Sequence, residues 1–219
     1  MQTAPLFLGY WLGDREKMKK TIFNSLAAGL MIAIGGSVFL GCEERTLGAI
    51  LFTVGLISVV QMNLYLYTGK IGFVAERYNK HDALHLLTGL VGNYIAATLC
   101  GLLVSYALPK SQAKAADMCA AKLGQNPLQT FILGIFCGVL MYFAIKLYKK
   151  KTMIGVLFAV PVFIVAGFEH SIADMFYFAA GRSFTGKSFL FLFMVVLGNT
   201  VGAMILPMLK RLAGEKTSE

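Results

Sequence analysis

Apolar stretches of membrane-crossing length alternate along the chain with short clusters of charge, and their lengths predict helices rather than strands. Six stretches stand out, at about Thr21 to Gly41, Leu47 to Tyr67, Ala83 to Leu108, Pro127 to Leu147, Ile154 to Ala180 and Lys187 to Met208. Each reaches the roughly 20 residues that a helix needs to cross the hydrocarbon core of a bilayer. Two of them are interrupted. The second meets Leu66-Tyr67-Thr68-Gly69-Lys70, after which an apolar run resumes from Ile71 to Ala75. The fifth is broken by Gly167-Phe168-Glu169-His170-Ser171 before Ile172 to Ala180. Glycine and ionisable groups inside a span are costly in lipid, and are tolerated where the backbone is buried in protein or lines a watery cavity.

The breaks lie about 100 residues apart, and spans one and four, and three and six, are offset by about the same amount. This spacing predicts two three-helix halves, 21–108 and 127–208, inverted relative to each other because each has an odd number of spans. Interrupted helices at matching places in inverted halves point to a permeation site near the midplane. The segments 1–20 and 209–219 are expected to be a cytoplasmic N-terminal stretch and tail of one membrane domain, 1–219. The first apolar run reads as a retained span, since Gly13 to Lys20 is charged and no cleavage-site pattern follows.

Composition agrees with the pattern. Of 219 residues, 57% are hydrophobic and 14% charged, with a mean hydropathy of +0.69, against ~45–50% and ~25% in average soluble domains. Disorder and a soluble enzyme domain are excluded, and six spans leave no room for a separate catalytic domain. The net charge of +9 is no nucleic-acid signature, because the basic residues gather at the ends of apolar segments. Thirteen lie in the N-terminal stretch (Arg15, Lys17, Lys19, Lys20), after span two (Arg77, Lys80), after span four (Lys146, Lys149, Lys150, Lys151) and in the tail (Lys210, Arg211, Lys216). The other side carries six: Arg45, Lys110, Lys114, Lys122, Arg182 and Lys187. That bias places both termini in the cytoplasm, with the bilayer itself as a partner. Cys100 and Cys137 fall inside apolar runs as packing residues; Cys42 and Cys119 are expected to face outward.

His170 is the one histidine away from a loop and follows Glu169 inside the fifth span. It reads either as a buried polar group joining helices or as part of an ion or proton pathway. The adjacent break favours the second, because a newly started half-helix offers free N–H groups and a positive dipole end. His81 and His85, at the cytoplasmic start of span three, read as solvated or headgroup-facing. In the first half, the Thr68 hydroxyl can hydrogen-bond a small oxyanion, while Lys70 either lends positive potential to the mouth or snorkels to the interface. Gly134-xxx-Gly138 and Gly198-xxx-Gly202 fit close helix packing. No catalytic triad, paired catalytic carboxylates, zinc spacing or nucleotide motif is visible, so neither a cofactor nor an enzymatic activity is expected.

Gly167-Phe168-Glu169-His170-Ser171-Ile172-Ala173, Leu66-Tyr67-Thr68-Gly69 and Ala28-Gly29-Leu30-Met31-Ile32-Ala33-Ile34-Gly35-Gly36 together resemble the formate/nitrite transporter family over about residues 17–210. The resemblance implies an all-α, aquaporin-like membrane fold of six spans in two inverted repeats with spans two and five broken. It also implies a homopentamer with a pore in each protomer and a small monovalent anion as substrate: formate, nitrite or hydrosulfide. Position by position, His170 resembles the central pore histidine and Thr68 the threonine facing it. Leu66 and Tyr67 fall at a Leu-Phe pair bordering the pore. Phe52, Leu56 and Phe163 take places of apolar constriction, and Glu169 that of the acid beside the histidine. Tyr67 in place of phenylalanine adds a hydroxyl to the narrow zone, and Lys70 adds a cation. Asp174 replaces asparagine, and Gly138 removes a polar candidate on the pore side. The resemblance leaves two roles open for His170, protonating the anion or tuning it as a neutral donor. Rival readings are a water or glycerol channel, which lacks its Asn-Pro-Ala pairs here, a redox subunit with His170 as a haem ligand, and a scaffold without transport.

Overall fold

The computed structural model describes residues 4–76 and 80–215, with side chains over 15–76 and 82–215. Arg77, Lys216 and the side chains of Lys80 and His81 lie outside the described residues. Helices are α1 (Ala4–Gly41), α2 (Arg45–Gln61), α3 (Tyr67–Lys70), α4 (Lys80–Ala107), α5 (Pro109–Leu123), α6 (Pro127–Lys149), α7 (Ile154–Ala166), α8 (Ser171–Ala180) and α9 (Gly186–Leu212), with a 3₁₀ turn (Ile71–Val74) after α3. Among the described residues four helices are long and apolar enough to cross a membrane: α4, α6, α9 and the Arg15–Gly41 part of α1. A fifth is added if α7 and α8, bent by 55° at their junction, count as one span. The remaining apolar helix, α2, has 17 residues. Outward faces are apolar, with Phe23, Leu103 and Phe158 more than half exposed, as a lipid-facing surface requires and a soluble one does not tolerate in bulk.

Local chemistry sets the ends of these helices. Glu44 caps α2 by accepting from the N–H groups of Thr46 and Leu47, bonds that hold its carboxyl below the usual carboxylate range. Asn126 caps α6 with Pro127 next to it, where the missing N–H costs nothing. Thr185 and Ser188 form a reciprocal capping box at α9. Gly167 ends α7 at φ +75°, a left-handed conformation that other residues adopt only under strain. On the opposite end of the molecule, Tyr142 donates to Glu76 at 2.5 Å and Lys146 contacts it at 2.9 Å. Burial opposes the charge on Glu76, but these two partners outweigh it and keep the carboxyl below its ordinary range.

Several expectations change. The second apolar stretch leaves the helix at Gln61 rather than Tyr67, with Asn63 in the left-handed region at φ 51°. The segment between the third and fourth stretches, for which the sequence pattern predicts no span, is α5. It is too polar to register as a span, yet Ser111, Ala115 and Cys119 are buried on its inner face at a helical spacing of four. Cys119 is therefore buried rather than outward-facing, and all four cysteines are free thiols. His85 is not solvated: it is buried, with Nδ1 2.9 Å from Thr21 Oγ1 on α1.

Glycines let α6 and α9 approach closely. A Cβ on Gly134 would lie 3.1 Å from Gly198 Cα, and one on Gly202 would meet the carbonyl of Ile135. Gly138 also belongs to this contact, against the backbone of Asn199 and Ala203; it serves helix packing, not the pore side. Gly202→Ala should therefore lower stability by about 1–3 kcal/mol through overpacking, read as a lower Tm in detergent. Gly186→Ala, with nothing within 4 Å of its added carbon, should change stability by less than about 0.5 kcal/mol.

Candidate functional site

The two helix breaks meet in the interior. Thr68, in α3, places Oγ1 2.9 Å from His170 Nε2, at the start of α8, although the residues are 102 positions apart. Both side chains are at most 2% exposed. His170 also caps α8: its Nδ1 accepts the Ala173 N–H at 3.2 Å. An acceptor nitrogen carries no proton, so in this arrangement the ring hydrogen sits on Nε2 and is donated to Thr68 Oγ1. The Thr68 hydroxyl hydrogen is then left to point onward.

Aromatic rings pack on the histidine side of this pair. The Phe163 ring stacks on the imidazole with centroids 5.6 Å apart and an 18° tilt, and Phe52 meets Phe163 edge-on at 6.2 Å. Leu56, Leu66 and Tyr67 are buried as well. Tyr67 does not leave its hydroxyl loose in the narrow zone. Thr200 Oγ1 donates to Val196 O, so the Tyr67 O–H donates to Thr200 at 2.8 Å.

Two asparagines, not singled out in the sequence, hold the breaks open. Asn93 of α4 accepts the Tyr67 N–H at 2.9 Å through Oδ1, and its Nδ2 donates to the carbonyls of Ser25 and Tyr65. Asn199 of α9 accepts the Ser171 N–H at 2.9 Å and donates to the carbonyls of Gly134 and Glu169. Each supplies one acceptor and one donor to backbone at a break, as burial of such backbone demands, and a second donor that ties the break to a carbonyl of a neighbouring helix, Ser25 in α1 or Gly134 in α6. Both follow a glycine inside an apolar stretch, Gly92-Asn93 and Gly198-Asn199, and that repeated pair was the signal available in the sequence.

Cavities flank the pair on two sides. The larger, about 590 Å³, lies beside α5 and is lined by His170, Phe163, Glu169, Asp174 and Lys122 among others. Lys122, another residue missed from the sequence, contacts Glu169 and lies 3.0 Å from Asp174. The smaller, about 90 Å³, is at the other end of α6, beside Tyr148 and Lys149, and is lined by Leu66, Gly69 and Lys70. Lys70 Nζ lies 5.7 Å from the Tyr65 ring centroid, within cation–π range. Among the described residues, no group of three or more His, Cys, Asp or Glu side chains is placed to hold a metal ion.

Comparison with known proteins now decides the family. The sequence model of the formate/nitrite transporter family matches residues 14–212. The chain belongs to the formate/nitrite transporter family. Among curated proteins it is similar to a probable formate transporter from Methanothermobacter thermautotrophicus, with 27% identity over 242 aligned positions covering 89% of this chain and 88% of that protein. Its fold resembles a pentameric formate channel solved with formate bound, at TM-score 0.73 and 21% identity over 91% of this chain and 98% of the other. It also resembles an ion channel of the same family, at TM-score 0.76 and 20% identity over 95% and 92% of the two chains. A multi-pass, all-helical membrane transporter is thereby established.

Proposed function

We propose that the protein is a cytoplasmic-membrane channel for small monovalent anions, with formate first and nitrite and hydrosulfide beside it. Six spans in two inverted halves, 21–108 and 127–208, form one domain with both termini cytoplasmic and assemble as a homopentamer with a pore in each protomer. The matching roles of Asn93 and Asn199 support the two halves, since each asparagine, on the last span of its half, secures the break in that half's interrupted span. The pentamer and the anion are supported by the resemblance to the pentameric formate channel.

The observation that carries the proposal is the Thr68–His170 hydrogen bond, buried where the two breaks meet, with Phe163 stacked on the imidazole and Phe52 against Phe163; Leu56, Leu66 and Tyr67, buried as well, complete the proposed constrictions. An anion leaving water for an apolar ring loses hydration worth several kcal/mol. A fixed donor between two such rings offsets part of that cost only at the narrowest point. His170 Nε2–H, relayed through the Thr68 hydroxyl, is that donor. Of the two roles open for His170, the Ala173 N–H on Nδ1 supports the neutral donor. A cationic ring would need a proton on that same nitrogen and would lose the α8 cap. Lys70 adds positive potential at the smaller cavity, and Glu169 braces the break through its carbonyl and carboxylate without touching the anion.

Purified protein in liposomes tests the function. Formate, nitrite and hydrosulfide should each move down a gradient and compete with one another, while glycerol should not enter. Absence of flux with all three anions would remove the proposal.

A further inference from the structure

The floor of the larger cavity contains an imbalance of charge that the Thr68–His170 site does not use. The Lys122 ammonium contacts Glu169 Oε2 and Asp174 Oδ1, and both carboxyl side chains are at most 3% exposed. Glu169 has a second donor, Gln125 Nε2 at 3.0 Å. Asp174 has none: its Oδ2 is buried without a hydrogen-bond partner among the described residues. One ammonium cannot balance two buried carboxylates, and a buried acid left over in this way takes up a proton instead.

The same count applies to the whole cavity. Its lining carries three basic side chains, Arg45, Lys114 and Lys122, against four acids, Glu43, Asp117, Glu169 and Asp174. With Asp174 neutral the two sets balance; with Asp174 ionised the cavity is net negative. Other titratable groups near Asp174 are Cys119 of α5, Cys137 of α6, Tyr177 of α8 and His170. Thiol and phenol groups are uncharged near neutral pH in their ordinary range, and His170 is the neutral Nε2–H form, so none alters the balance.

We propose that Asp174 holds a proton in the conducting protein, and that this proton decides whether the cavity beside α5 admits an anion. Loss of the proton transfers it to hydroxide from solution, giving water and an Asp174 carboxylate, with no other bond changed. The net negative cavity then repels the incoming anion. The second half of the proposal rests on the anion-channel reading; the first does not.

Infrared spectroscopy tests the proton without reference to transport. Purified wild-type protein at neutral pH should show a protonated-carboxyl C=O band that moves when aspartate carries a heavy carbon isotope in its side-chain carboxyl, and Asp174→Asn should remove it. No such band in the wild type, or one unmoved by labelled aspartate, would overturn the assignment. Formate flux against pH tests the consequence. Wild-type flux should fall at least about tenfold through the alkaline range, the scale on which one sign of charge in a cleft changes local ion concentration, and Asp174→Asn should not fall. Identical alkaline decline in both would overturn the admission role. A wild type that carries no anion at any pH would instead defeat the channel reading and leave the infrared result to decide the proton.

Discussion

Asn199→Leu is expected to remove a large part of the protein's stability and to leave little folded material in detergent. The side chain makes three buried hydrogen bonds, to the Ser171 N–H and to the carbonyls of Gly134 and Glu169. Leucine is close in size and adds no cavity, so the loss is in polar satisfaction. Gly134 lies within α6 and its carbonyl keeps its helical partner, so two groups are orphaned; at about 1–3 kcal/mol for each unpartnered buried group, the loss is about 2–6 kcal/mol. Against a total of about 5–15 kcal/mol for a folded protein, that is a decisive fraction. Asn93→Leu should behave alike, because it orphans the Tyr67 N–H and the Tyr65 carbonyl and removes a second bond to the Ser25 carbonyl. Thermal unfolding and size-exclusion profiles of both variants check this. A Tm within a few degrees of wild type would show that the breaks do not depend on the asparagines.

Much of the site was legible in the sequence, and the reason is physical. Ionisable groups inside an apolar run are rare because lipid penalises them, so Glu169 and His170 within the Gly167 to Ser171 interruption, and Lys70 after Thr68-Gly69, stand out without any structure. That Thr68 faces His170 was implied by the family resemblance rather than by spacing, and the two side chains lie 2.9 Å apart across 102 positions. What stayed hidden depends on contacts that leave no period. Lys122 counts as an orientation charge until α5 folds its side chain onto Glu169 and Asp174. Helix α5 itself hides because its buried residues are small and its polar ones numerous. The Tyr67 hydroxyl could be placed only once α9 brought Thr200 within 2.8 Å. His85 looked like a surface residue until α1 supplied Thr21 as a partner.

Thr68→Val should cut anion flux about 10- to 100-fold with the protein still folded. A hydrogen bond to a charged group contributes about 1.5–3 kcal/mol, and each ~1.4 kcal/mol is a factor of ten in rate. Valine matches threonine in shape, so constriction width is preserved and only the donor is lost. The His170 Nε2–H is left buried without its acceptor, at a further cost of about 1–3 kcal/mol in stability. Thr68→Ser keeps the hydroxyl and should recover most of the flux. Equal flux in wild type and Thr68→Val would show that the anion does not bond to this residue.

The central claim is that His170 acts as a neutral, capped donor and not as the source of a proton. Formate flux into liposomes, measured against pH for wild type and His170→Asn, tests it most directly. Asparagine is a strong N-cap residue, so it can keep the Ala173 N–H bonded while removing every ring proton. The account predicts lower flux for His170→Asn, with a pH profile of the same shape and midpoint as the wild type. A flux that no longer varies with pH in His170→Asn would contradict it and return the proton to the histidine.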